Sequence, residues 1–262
     1  MASRDMRRVR LLKKRVIISL LLNDGELYRT KQFVPDYQYT TEFVTVDSID
    51  ELFIIDITRG GKSDKFGRYV KKIVDKCFAP ICVGGHIRTL EDVKWAMGEF
   101  GADSVLVNAE AHRNGRFIPE VAQKLGSQSI TVGIDVVNDM ALVGTGYMPP
   151  VVRFEQGKAE TGCWPHLWAQ VVEQFGAGQI FLQSIDRDGS LEGYDLETLK
   201  EVTEAVNIPV VIGGGCGRVE HMRQAFEAGA DGCSTSNIYH FPESTMSSWK
   251  EALHEAGVQV RC

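Results

Sequence analysis

The sequence predicts an α/β fold, a closed (β/α)8 TIM barrel with a two-fold half-barrel repeat, and three observations carry that prediction. Short apolar, β-rich runs alternate with longer amphipathic stretches along the whole chain. Eight such runs fit within 262 residues, a length that suits one such barrel. Two sets of glycine-containing motifs recur about half a chain apart, as a barrel built of two halves requires.

The first run is Val16-Ile17-Ile18-Ser19-Leu20-Leu21-Leu22, stopped by the turn signal Asn23-Asp24-Gly25. A basic head precedes it: seven of residues 4 to 15 are Arg or Lys, which superficially copies a secretory signal. The apolar stretch is too short for one and no small-residue cleavage site follows. Residues 1–14 therefore read as a solvated basic tail and 15–262 as a single barrel domain. The later runs are Leu52 to Asp56, Ile81 to Val83, Val105 to Val107, Ile130 to Asp135, Ile180 to Leu182, Val210 to Ile212 and Gly232 to Thr235. Leu90 to Phe100, Leu196 to Val206 and Val219 to Ala228 carry apolar residues at spacings of three and four, the signature of helices that cover a sheet on one face. Gly101-Ala102-Asp103 recurs 128 positions later as Gly229-Ala230-Asp231. Ala79-Pro80 with Gly84-Gly85 is echoed by Ile208-Pro209 with Gly214-Gly215.

Composition excludes several classes. With 44% hydrophobic and 24% charged residues the chain carries a full core, and 29 Lys and Arg against 35 Asp and Glu give none of the basic excess of a nucleic-acid binder. No stretch approaches the roughly 18 apolar residues of a membrane span. The six cysteines form no Cys-x-x-Cys pair and lie in or beside apolar runs, so they read as buried reduced thiols in a cytoplasmic protein. The six histidines show no metal spacing and read as solvated or core residues; no metal or cofactor is expected.

Chemistry in this fold belongs to residues just past the strand ends. Gly84-Gly85 and Gly213-Gly214-Gly215 permit close approach of a ligand to backbone N–H groups, and Asn108, Gly189 and Ser236-Asn237 can add donors. Two symmetric sets suit a phosphorylated small molecule with a phosphate at each end; as isolated pairs the glycines are tight turns. Carboxylates end three strands, Asp56, Asp135 and Asp186, with Asp188 just beyond. A partly desolvated carboxylate there can transfer protons, and Asp135 is the strongest candidate. Helix capping or pairing with Arg is the structural alternative.

Three stretches are specific enough to name a family. Gly126-Ser127-Gln128-Ser129 leading to Ile134-Asp135, the block Ser184-Ile185-Asp186-Arg187-Asp188-Gly189 with Gly193-Tyr194-Asp195 behind it, and Ala228-Gly229-Ala230-Asp231 resemble the HisF family. These are the cyclase subunits of imidazole glycerol phosphate synthase, and the resemblance runs from about Arg15 to Arg261. It implies a HisH-like glutaminase docked on the N-terminal face, with ammonia passing through the barrel to a substrate phosphorylated at both ends. It places phosphate binding at Gly84, Gly85 and Asn108 in one half and at Gly189, Gly214, Gly215, Ser236 and Asn237 in the other, and the second catalytic aspartate at Asp135.

The departures from that family concern chemistry. Where HisF ends its first strand Cys-Leu-Asp, this chain has Ser19-Leu20-Leu21, so Leu21 replaces a catalytic acid; Asp24 matches a different, turn aspartate. The segment after Gly25 is shorter than the family's substrate-covering loop, and Arg29 stands where the family has a loop lysine. The ammonia gate, a ring of Arg, Glu, Lys and Glu in HisF, reads Arg15, Glu51, Ser104 and Gln179. A first strand ending Leu-Leu-Leu and the stretch Leu27 to Phe33 resemble HisF-like paralogues that supply ammonia to a separate sugar amidotransferase in glycan biosynthesis. The expected function is thus that of a synthase-type barrel fed by a glutaminase and channelling ammonia for acetamidino formation on a surface-glycan sugar. The alternatives are an authentic cyclase of histidine biosynthesis and a non-catalytic barrel that binds a phosphorylated ligand or a partner.

Overall fold

The computed structural model describes residues 13–39, 48–61, 63–138, 150–236 and 245–261. The chain enters through β1 (Arg15–Asn23), turns at Asp24-Gly25 into the hairpin β2 (Glu26–Lys31) and β3 (Val34–Gln38), and returns through β4 (Glu51–Asp56). Then come α1 (Asp64–Val74), β5 (Ile81–Gly84), α2 (Leu90–Phe100), β6 (Ser104–Val107), the short α3 (Ala109–Arg113), α4 (Phe117–Leu125) and β7 (Ile130–Val137). A second hairpin, β8 (Val151–Phe154) and β9 (Ala159–Glu160), is followed by α5 (Pro165–Gln174), β10 (Gln179–Ser184), α6 (Leu196–Ala205), β11 (Val210–Gly213), α7 (Val219–Glu227), β12 (Gly232–Thr235) and α8 (Met246–Glu255). All eight runs singled out in the sequence are strands. They pair in parallel in the order β10-β11-β12-β1-β4-β5-β6-β7, and β7 pairs with β10 to close the barrel. Among the described residues the connection from β1 to β4 holds the hairpin and no helix.

These strands are buried on both faces, which is why their sequences are continuous apolar runs; Val16 to Leu22 is buried throughout. Side chains alternate between the helix layer and the barrel axis. Ile18, Leu20, Leu52, Ile54, Val105, Ile134 and Val210 join the large outer core, whereas Ile17, Phe53, Cys82, Phe181 and Val211 fill the interior. Phe53 and Phe181 meet edge to face there, 5.0 Å between centroids. Helix starts are fixed locally: Thr89 and Asp92 form a capping box on α2, which ends at Gly101 in the left-handed region.

The Gly-Ala-Asp repeat has a structural purpose at the barrel base. Asp103 Oδ2 accepts from Ile81 N at 2.8 Å while its own N–H donates to Ile81 O at 2.9 Å. Asp231 does the same with Val210, and Asp50, outside the repeat, with Val16. Each aspartate thereby satisfies the first backbone groups of the preceding strand.

Strand registers define the two-fold relation. Glu51, Phe53, Ile55 and Asp56 occupy in β4 the places that Gln179, Phe181, Gln183 and Ser184 occupy in β10. Leu21 pairs with Ile55 as Asp135 pairs with Gln183, which makes Leu21 the two-fold mate of Asp135. The glycine echo is corrected by one residue. Strands β5 and β11 superpose Gly84 on Gly213, Gly85 on Gly214 and His86 on Gly215, and φ agrees: 94° and 86° for the second pair, 56° and 98° for the third.

Lys250 Nζ lies 2.7 Å from Asp50 Oδ1, and both side chains are buried. Asp50→Ala strands that ammonium and the Val16 N–H, and is expected to destabilise the protein by about 3–5 kcal/mol in urea unfolding. Adding Lys250→Met, which removes the stranded charge, should recover about 1 kcal/mol or more.

Candidate active site at the barrel mouth

Where the strands end, the inward positions no longer have to fill the axis, and two cavities open. The larger, about 410 Å³, is walled by Leu21, Asp56, Gly85, His86, Asn108 and Asp135, among others. The smaller, about 20 Å³, is walled by Asp188, Gly189, Gly214, Gly215 and Ser236. Leu21, Phe181 and Gln183 border both. The two glycine turns thus face two adjacent cavities, one in each half of the barrel.

Of the expected phosphate-contacting residues, Gly85 and Asn108 line the first cavity, and Gly189, Gly214, Gly215 and Ser236 the second. Gly84 lies inside β5, packed on Leu106, and is on neither wall. Asn237 falls outside the described residues. The turn glycines are also required by packing: a Cβ on Gly85 would stand 2.3 Å from Asp56 O, and one on Gly214 2.7 Å from Ser184 O. Arg29 pairs with Asp36 on the first hairpin and Asp186 accepts from Asn138 N at 2.7 Å; neither lines either of these two cavities.

Asp135 projects inward from the end of β7, and Asn108 Nδ2 donates to its Oδ2 at 3.2 Å and to Gly133 O at 3.1 Å. Burial, with the Asp188 carboxylate adding repulsion, pushes Asp135 up to about 7. A carboxyl so placed can hold or release a proton at neutral pH. Asp188 is also raised by burial, opposed by hydrogen bonds from the Thr30 hydroxyl and from Phe33 N at 3.0 Å. Gln32 N donates to Asp188 O at 3.1 Å, so the first hairpin is fastened over the β10–α6 loop, and its Thr30 and Phe33 wall the larger cavity. Diametrically across from Asp135 stands Leu21, buried beside Ile55. Leu21 and Ile55 are thus the aliphatic two-fold mates of the Asp135 carboxyl and the Gln183 amide.

Three of the four gate positions are joined at the base. Arg15 donates to Glu51 Oε2 at 2.6 Å and to Gln179 Oε1 at 2.5 Å, and Gln179 Nε2 donates to Thr131 Oγ1 at 3.3 Å. Ser104, the fourth, is buried and paired in register with Cys82. Burial raises Glu51, with the Arg15 guanidinium opposing. A single apolar layer, that of Phe53 and Phe181, separates this polar ring from the mouth.

Several residues of the site escaped sequence reading. Gln183 is legible from its period-two spacing to Gln179 and Phe181. Thr30 and Phe33 follow from the Asp24-Gly25 turn, a two-residue hairpin signal with φ of 52° and 77°. His86 is neither a core nor a free surface histidine as expected: it lines the larger cavity. Asp24 is exposed and bound to Lys65 and Ser63, away from both cavities.

Residues 16–245 match the model of a family described as "Histidine biosynthesis protein". The chain is 36% identical to the imidazole glycerol phosphate synthase subunit HisF of Clostridium botulinum (strain Okra / Type B1), over 96% of this chain and 100% of that protein. It is 36% identical to the HisF subunit of Campylobacter concisus (strain 13826), over 95% and 98%, and 34% identical to that of Methanocaldococcus jannaschii, over 96% and 99%.

Because Asp135 is raised above the ordinary 3.8, the folded protein holds a proton there that the unfolded chain releases between about pH 4 and 7. Its contribution to stability therefore falls as pH rises through that window. Asp135→Asn is expected to stabilise the protein by about 2–4 kcal/mol at pH 8 and by close to nothing at pH 4 in chemical denaturation. An equal effect at both pH values would contradict the protonation assigned to this carboxyl.

Proposed function

The chain belongs to the histidine biosynthesis protein family, as a HisF-family protein, and on that premise we propose that it is the synthase-type barrel of a glutamine amidotransferase complex. It receives ammonia from a HisH-like glutaminase at the base and delivers it at the mouth. The ammonia serves the amidation of a surface-glycan sugar by a separate amidotransferase, and closure of an imidazole ring is not this chain's reaction.

The observation that carries this reading is Leu21. Ring closure with cleavage needs protons both delivered and removed, and of the two symmetric positions only Asp135 can do either. The Leu21 side chain is buried against Ile55 and leaves Asp135 without a titratable two-fold mate. The ring of Arg15, Glu51 and Gln179 supports the channelling role, because it keeps a hydrogen-bonded polar entrance at the base. Ser104 and Gln179 replace charged gate residues with neutral polar ones, which leaves fewer ion pairs to part as ammonia enters. The paired cavities support binding of a ligand phosphorylated at both ends. In operation, Asn108 orients the Asp135 carboxyl, the turns at Gly85 and Gly214 present backbone N–H groups to anions, and the hairpin carrying Thr30 and Phe33 screens the larger cavity from water.

Two observations favour the second reading, an authentic cyclase: identity of 34% or more to HisF subunits along nearly the whole chain, and Asp135 poised near neutrality. In that reading Asp56, on the wall of the larger cavity, would have to take the role lost at Leu21, since Asp24 is bound to Lys65.

Turnover of N'-(5'-phosphoribulosyl)formimino-AICAR ribotide with ammonium salt decides between them. The expected rate is about 10²- to 10⁴-fold below that of a HisF control, with Leu21→Asp raising it at least about tenfold. Turnover at the control rate would make the chain a cyclase of histidine biosynthesis. Detectable phosphate affinity with no turnover and no effect on a HisH-like glutaminase would leave only a binding barrel.

A further inference from the structure

We infer that the second hairpin, β8–β9, is a strap that opens to admit a ligand to the larger cavity, while the first hairpin stays fastened; this deepens the reading above and rests on its premise of a ligand bound at the mouth. The first observation is one of topology. In barrel order β5 and β6 lie between β4 and β7, and β11 and β12 lie between β10 and β1. The hairpin after β7 reaches the loop after β4, where Gln156 Nε2 donates to Ile57 O at 3.1 Å. Its two-fold mate, the hairpin after β1, reaches the loop after β10, where Gln32 N donates to Asp188 O at 3.1 Å and Phe33 N to Asp188 Oδ2 at 3.0 Å. Each hairpin therefore crosses the mouth past two strand ends. The second spans the side of the Gly85 turn and Asn108, which wall one cavity with it, and the first spans the side of the Gly214 turn.

The second observation is how differently these mates are held. Both turn through consecutive non-glycine residues in the left-handed region, Gln32 and Phe33 at φ 50° and 61°, Glu155 and Gln156 at 56° and 58°. Such residues persist there where their surroundings hold them, and in both hairpins they are the ones that make the fastenings. The first hairpin uses backbone N–H groups on a buried residue, Asp188, and is pressed so closely on that loop that a Cβ on Gly189 would stand 2.5 Å from Thr30 O. The tip of the second is held through side chains: the Gln156 amide, and an ion pair between Glu155 and Arg113 whose side chains are 45% and 47% exposed. Long side chains regain rotamer freedom when released, and an ion pair so exposed holds weakly and is screened by salt. The cavities follow the same order, about 20 Å³ on the side of the first hairpin and about 410 Å³ on that of the second. Glu155, Gln156, Arg113 and Ile57 all wall the larger one, so parting the two fastenings widens its entrance.

The test is brief trypsin digestion of the whole folded chain, comparing cleavage after Lys158, at the turn of the second hairpin, with cleavage after Lys31, at the turn of the first. Both lysines are exposed, and each rate is taken relative to the same site in the unfolded chain. The double variant Glu155→Asn with Gln156→Asn keeps residues that tolerate the left-handed backbone, but removes the charge and shortens the amide. Lys158 is expected to be cut faster than Lys31 in the wild type. The ratio should rise about 5- to 20-fold in the double variant and about 2- to 3-fold at about 1 M salt, where the Debye length is about 3 Å. Ribose 5-phosphate, by filling the cavity beneath the strap, should lower it. A ratio that neither the variant nor salt changes, or faster cleavage after Lys31 in the wild type, would overturn the strap. Equal acceleration at both sites would overturn it too, since that is loss of global stability. A ratio that responds to the variant and to salt but not to ribose 5-phosphate would uphold the strap and count against a phosphorylated ligand.

Discussion

The width of the barrel governs everything else in this molecule. Eight strands that close on themselves leave an interior just wide enough for side chains to fill. Every second residue of each strand competes for that narrow axis, and midway along it Ile17, Phe53, Cys82, Phe181 and Val211 form an apolar layer. Polar and titratable groups are thereby driven to the two ends. At the base they form the Arg15, Glu51 and Gln179 ring; at the mouth they are Asp135, Asn108 and the groups around the two glycine turns. The same confinement pushes Asp135 toward neutrality and keeps Glu51 dependent on its arginine. The polar groups of the base and those of the mouth are separated in space because an apolar layer lies between them.

Two-fold repetition supplies the frame, and its violations supply the chemistry. The registers of β4 and β10 agree residue for residue, and Phe53 and Phe181 still meet as a pair of mates across the axis. Several pairs break the symmetry, among them Leu21 against Asp135, Ile55 against Gln183, Asp56 against Ser184 and His86 against Gly215. The first two leave the Asp135 carboxyl and the Gln183 amide facing aliphatic mates across the mouth.

Much of this was legible in the sequence, for identifiable reasons. A strand buried on both faces must be apolar throughout, so Val16 to Leu22 and Ile130 to Ile134 announce themselves. Asp135 was legible because a carboxylate that ends such a run has little apolar company left. The hairpins were not read, because β2 and β8 are half-exposed and their alternating polar residues resemble loop sequence; only the Asp24-Gly25 turn marks the first. The glycine register slipped by one because consecutive glycines carry no side chain to align, and the backbone angles at Gly85 and Gly214 were needed to fix it. His86 was passed over because left-handed strain is a property of φ, which no histidine reveals in sequence.

If the two glycine turns are anion pockets flanking a mouth that has lost one proton-transfer group at Leu21, a sugar bisphosphate must bridge them. A crystal structure of the protein with such a ligand, collected at neutral pH, is the direct test. Two phosphate densities are expected, one at the Gly85 turn and one at the Gly214 turn, with the sugar passing between the Leu21 side chain and Asp135. A single phosphate, or a ligand that leaves Leu21 untouched at a distance from both turns, would contradict it.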